Sequence, residues 1–145
     1  MPNEEVSDGR GPLRRLARHL SVFESPAFRF GSWVPSQQRD DGVIVMGWYD
    51  PGPEALAFLD DARALITPFD WPAWASGPEG QALIGHPEAV ASASADDLRK
   101  LLTTYVRSER FGDGTLEAVF ASGILTAIVR RAGVLAADRR TPSDP

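Results

Sequence analysis

The sequence predicts an α+β fold, predominantly helical, with about five helices and a short two-stranded antiparallel hairpin. Three observations carry that expectation. Segments beginning near Pro12, Pro53, Ser94 and Leu116 repeat apolar residues at the three-to-four-residue spacing of a helix face. Two runs in the first third of the chain, 27–34 and 43–49, are instead rich in aromatic and β-branched residues, which suit a pleated surface. The third observation is bulk: 145 residues, 43% apolar and 24% charged, suffice for one core and predict a single domain over 1–145.

Taken in order, residues 1–10 and 138–145 are polar and aperiodic and read as flexible tails. Pro12 suits the first turn of a helix whose apolar face is Leu13, Leu16, Ala17, Leu20 and Phe23. Arg14, Arg15, Arg18 and His19 fall on its outer side, and Pro26 stops it near Ser25. The two strands follow, joined by the polar link 35–42, which predicts an irregular loop. Gly31 and Gly47 interrupt the strands and imply bulges or the close packing of a neighbour.

Asp50 to Pro53 opens a second helix with Ala55, Phe58, Leu59, Ala62, Leu65 and Ile66 inward, stopped by Thr67 and Pro68. Asp70 is the expected N-cap of a further one- or two-turn helix, with Pro72 in the first turn and Phe69 and Trp74 forming a hydrophobic staple. Residues 79–92 predict a short helix plus loop. Ser94 and Asp97, at capping-box spacing, open a helix to about Glu109 with the stripe Leu98, Leu101, Leu102, Tyr105 and Val106. Beyond the glycine corner at 112–114, Leu116, Val119, Phe120, Gly123, Ile124 and Ala127 line one side of a last helix, and Leu125 and Val129 line another. A helix apolar on two sides belongs at the centre, here antiparallel to its predecessor. Arg130 and Arg131 suit its carboxyl end, Gly133 a left-handed stop, and Val134 a contact back to Val129.

Phe69, Asp70, Trp71 and Trp74, then Arg107, Arg110, Phe111 and Gly114, then Gly123, resemble the recurring pattern of an uncharacterised bacterial family, domain of unknown function family 6508. The pattern is an FDW-x-x-W segment, a helix ending in R-x-x-RF-x-x-G, and a second helix with a small-residue step. It covers roughly the second half of the chain, from Phe69 to Gly133. The resemblance implies a shared fold and carries no activity, cofactor or catalytic residue across.

Function is bounded mainly by exclusion. Without cysteine there is no disulfide framework, cysteine-ligated zinc or thiol catalysis. The amino terminus is acidic rather than basic then apolar, and no run approaches the roughly 20 apolar residues of a membrane span, so a cytoplasmic protein without a membrane partner is expected. Net charge −5 and pI near 5.0 disfavour general nucleic-acid binding. Fourteen arginines against one lysine suit a GC-rich bacterial genome.

No phosphate-cradling glycine loop, serine elbow or zinc-protease helix is present, and no cofactor is expected. Only His19 and His86 offer imidazole chemistry, each expected in a surface or turn position. The pairs Asp40–Asp41, Asp60–Asp61 and Asp96–Asp97 point about 100° apart on a helix and do not converge on one proton or metal. The candidate binding residues are Arg107, Arg110, Trp71 and Trp74. Arg107 and Arg110 form either a corner lock, with Arg110 paired to Asp113 or Glu117, or a fork for an anionic group on a partner. Trp71 and Trp74 lie on one helix side as a contact platform or as core plugs. The leading expectation is a non-enzymatic interaction module with a protein partner. Its alternatives are a nucleic-acid binder using Arg14, Arg15, Arg18 and Arg107, and an enzyme assembled from Asp70, His86 and Arg107.

Overall fold

A computed structural model describes residues 10–109 and 114–138. Of the expected tails 1–10 and 138–145, residues 1–9 and 139–145 lie outside the described residues, as do Arg110, Phe111, Gly112 and Asp113 of the arginine corner, whereas Arg10 opens the first helix and Asp138 caps the last. The fold is α+β and predominantly helical. In order come α1 (Arg10–Ala17), α2 (Leu20–Phe23), β1 (Gly31–Val34), β2 (Gln37–Gln38), β3 (Ile44–Val45), β4 (Trp48–Pro51) and α3 (Pro53–Arg63). Then follow α4 (Trp71–Ser76), α5 (Pro78–Leu83), α6 (Pro87–Val90), α7 (Ala95–Ser108), α8 (Thr115–Ala121) and α9 (Ile124–Ala137).

Helix α9 is the centre: Ile124, Leu125, Ala127, Ile128, Val129 and Ala132 are all buried along it. Its broadest contact is with α1, where Leu13 and Leu16 are buried, and not with α7 as the sequence suggested. The last amphipathic run is two helices, not one. Gly123 takes the left-handed φ of +91°, which a side chain disfavours. Its N–H donates to the Phe120 carbonyl at 3.0 Å to close α8, while its own carbonyl accepts from the Ala127 N–H at 3.0 Å to open α9. The two helices bend by 70° there, so α9 swings away from α7 and onto α1. Gly133, expected as the stop, sits inside α9, where a methyl group would lie 3.4 Å from the Ala17 Cβ. Val134 is consequently exposed rather than folded back on Val129.

The first helical run also divides. Three-residue bonds from the Arg18 and His19 N–H groups to the Arg15 and Leu16 carbonyls tighten the chain before α2 starts. This rotation turns His19 inward, correcting its expected surface position: its Nε2 lies 2.7 Å from Asp61 Oδ2, and its ring meets Phe58 edge-on at 5.7 Å. Phe28 and Phe30, expected in a strand, precede β1 and join Phe23, Phe58 and Phe120 in an aromatic cluster with neighbouring centroids 5.1 to 5.6 Å apart. Rings at that spacing favour offset-stacked and edge-on contacts, and both occur here: Phe23–Phe28 and Phe30–Phe120 stack, while Phe120 meets Phe23 and Phe28 edge-on.

Helix α3 buries Ala55, Phe58, Leu59 and Ala62 and ends at Arg63, slightly earlier than expected. The following linker is tied down by the Thr67 N–H, which donates to Thr103 Oγ1 at 3.2 Å, while that hydroxyl donates to the Arg99 carbonyl. The predicted caps are in place: Asp70 accepts from the Ala73 N–H at 3.2 Å, and Ser94 Oγ accepts from the Asp97 N–H at 3.0 Å. The region 79–92 holds most of α5 and all of α6 rather than one short helix. Among the described residues no single helix is long and apolar enough to cross a membrane.

Candidate interaction surface

The expected hairpin forms, but it is longer and more exposed than predicted. Strand β1 pairs antiparallel with β4 in the register Gly31↔Pro51 to Val34↔Trp48, and β2 pairs with β3 as Gln37↔Val45 and Gln38↔Ile44. The register carries across the gap between the two ladders without an inserted residue. The gap falls where Pro35 lacks an N–H and the Gly47 N–H turns to Ser36 Oγ at 3.2 Å. The link predicted as irregular thus contains β2 and a tight tip. There the Arg39 N–H donates to the Val43 carbonyl at 2.7 Å, Asp41 Oδ1 accepts from the Val43 N–H, and Gly42 has φ +86°. This is the three-residue hairpin loop with a left-handed glycine. Gly31 and Gly47 serve close approach: a Cβ at either would lie 2.5 Å from a backbone carbonyl oxygen of the opposite strand.

The hairpin base is anchored. Tyr49 is buried, and the Trp33 ring stands edge-on to it at 5.3 Å while covering Gly114, where an added methyl would collide with the indole. Burial raises the Tyr49 phenol well above its ordinary value, and the carboxylate of Glu117 beside the hydroxyl pushes the same way. On the adjoining corner, Glu109 Oε1 and Oε2 accept from the Leu116 and Gly114 N–H groups at 2.9 and 3.2 Å. Glu109 therefore locks this corner, and Arg110, expected to lock it through Asp113 or Glu117, lies outside the described residues.

Beyond that base the hairpin has no cover. All residues from 35 to 48 are exposed, including Val43, Ile44, Val45, Met46 and Trp48. Strand alternation puts Ile44, Met46 and Trp48 on one face, with Ile44 63% and Met46 75% exposed. Stretch 43–48 contains neither charge nor proline, whereas the opposite strand is interrupted by Pro35. The signal was present in the sequence as VIVMGW, but an apolar strand reads as a core element until its surroundings are known.

The other candidates separate. Trp74 is half-buried against the core, pairs with Phe69 at 6.2 Å as a staple, and has a buried Nε1 without a hydrogen-bond partner. Trp71 is half-buried at the start of α4, so neither indole is a free platform. Arg107 is half-buried in the last turn of α7 and makes no side-chain hydrogen bond or ion pair among the described residues. Asp70 caps α4, and His86 faces Glu88 at 3.5 Å; no hydrogen bond or ion pair joins any two of Asp70, His86 and Arg107. The adjacent carboxylates diverge as expected where α3 displays them: Asp60 pairs with Arg63 and Asp61 with His19. Among the described residues no cluster of three histidine, aspartate or glutamate side chains is placed to hold a metal ion. Arg14, Arg15 and Arg18 edge a shallow exposed depression on α1, with Arg15 4.0 Å from Asp61.

A family model described as a family of unknown function (DUF6508) matches residues 10–138. The chain belongs to that family. The DUF6508 match spans nearly the whole chain rather than only the second half that the FDW-x-x-W and R-x-x-RF motifs marked, and the hairpin lies inside it. Comparison with curated proteins and with solved structures gives no match.

Proposed function

We propose that this member of DUF6508 is a non-enzymatic binding module that captures an extended segment of another protein along the free edge of its hairpin. One observation carries the reading: a projecting strand, 43–48, with five large apolar side chains in water and no charge to blunt its edge. Proteins normally protect such edges with charge, proline or cover, because they template further pairing. An unprotected apolar edge on an otherwise packed domain is a recognition element for β-strand addition. Its chemistry defines the partner. Asp41 at the tip is already paired with Arg39 at 3.0 Å, which leaves Asp40 beside it and Asp50 at the base as the acids near the edge, so the complementary segment is extended, apolar at alternate positions and flanked by Lys or Arg. A second copy fits less well, since antiparallel self-pairing of the strand brings Asp41 toward Asp50 of the other copy.

Fluorescence anisotropy with synthetic strands of alternating Val and Thr tests this, comparing Lys-flanked with Glu-flanked versions. The Lys-flanked peptide is expected to bind at least about tenfold more tightly, and Met46→Glu to abolish binding while the helical circular dichroism is unchanged. Absence of binding by both peptides overturns the reading, as does sedimentation showing the strand consumed in a homodimer.

A further inference from the structure

We infer that the cleft between α6 and α9 is a binding site for a small carboxylate carrying a short apolar body. The cleft follows from the bend at Gly123, which leaves the start of α9 open beside Pro87 and encloses about 340 Å³. That volume lies at the lower end of ligand pockets, roughly 300–1,000 Å³, and therefore selects a small molecule. Its apolar surface comes from Pro87, Ala91, Ala127 and Val134, none of which offers a hydrogen bond from its side chain.

One guanidinium group, that of Arg131, supplies the charge, and a second beside it is already paired. Arg131 Nε donates to the Ala93 carbonyl at 2.7 Å, which fixes the plane of the group. Its two terminal nitrogens make no hydrogen bond or ion pair among the described residues, and the bond through Nε holds them in place. Arg130 lines the same cleft and is held from α2's end by Glu24. A pinned guanidinium with two parallel donors matches a carboxylate, and its fixed plane reduces the ordering lost on binding. The single acid on the wall, Glu88, is well exposed and lies 3.5 Å from His86 Nδ1. An apolar surface with a pinned guanidinium on one wall reads an amphiphilic anion, where a bare inorganic anion leaves the apolar surface unused.

The cleft shares no residue with the hairpin, so this site stands or falls independently of strand capture. Two-dimensional amide NMR with phenylacetate and its neutral analogue phenylacetamide provides the test. Phenylacetate is expected to give saturable shifts at Ala91, Ala127 and Arg131 at millimolar concentration, and phenylacetamide to bind at least about tenfold more weakly. Arg131→Gln is expected to weaken phenylacetate by a similar factor. Ala91→Phe, a change at an exposed position, is expected to fill the cleft and remove the shifts while the rest of the spectrum is retained. Equal binding of the two compounds, absence of saturable shifts, or full binding by folded Ala91→Phe each overturns the assignment.

Discussion

Tyr105 shows how one buried hydroxyl ties the fold to pH. Only 6% exposed on α7, its phenol is pushed up to about 12, chiefly by burial, with a hydrogen bond from the Gly85 backbone pulling in the opposite direction. In the unfolded chain the same group titrates near about 10. The stabilising difference is therefore complete below about pH 10, and it is lost as pH rises through about 12, because the unfolded chain releases its proton first. The change amounts to roughly 2–3 kcal/mol. Urea denaturation at about pH 9 and about pH 11.5 is expected to record most of that loss, and Tyr105→Phe to flatten the dependence. An equally steep fall in the variant assigns the alkaline sensitivity elsewhere, with Tyr49 the next group shifted the same way.

At the level of elements, two glycines ten residues apart have opposite tasks, and substitution separates them. Gly123 holds φ +91° at the bend, so Gly123→Ala is expected to destabilise by about 1–2 kcal/mol. Gly133 lies within α9 with ordinary contact distance to Ala17, so Gly133→Ala is expected to be neutral or to stabilise by up to about 1 kcal/mol. Paired thermal melts check both signs. This pair also marks what the sequence makes legible. The stripes of α3 and α7 and the caps at Asp70 and Ser94 follow from local chemistry, since an N-cap and a helix face depend on residues three or four apart. Which glycine breaks the last helix depends on whether α9 gains more by packing on α1 than by continuing α8, and that is a tertiary question. The same holds at the candidate site: VIVMGW reads equally as core or contact, and the inward turn of His19 needs Asp61 from a helix forty-two residues away.

At the scale of the whole molecule, stability and recognition reside in different places. No residue between 35 and 46 is buried, so replacing 36–46 with an Asn-Gly turn is expected to change stability by no more than about 0.5 kcal/mol in urea while removing strand capture. A loss several times larger places the distal hairpin within the cooperative core. The core itself closes in the contact of α1 with α9, which joins segments more than a hundred residues apart. Such a contact has a kinetic consequence. Pairing across so long a stretch carries a high loop-closure entropy and places its formation after local turns such as the Glu109 clamp. During synthesis α1 can pack on α3 as soon as that helix is made, but its broadest contact waits for α9, leaving part of its apolar face open to a chaperone in the interval.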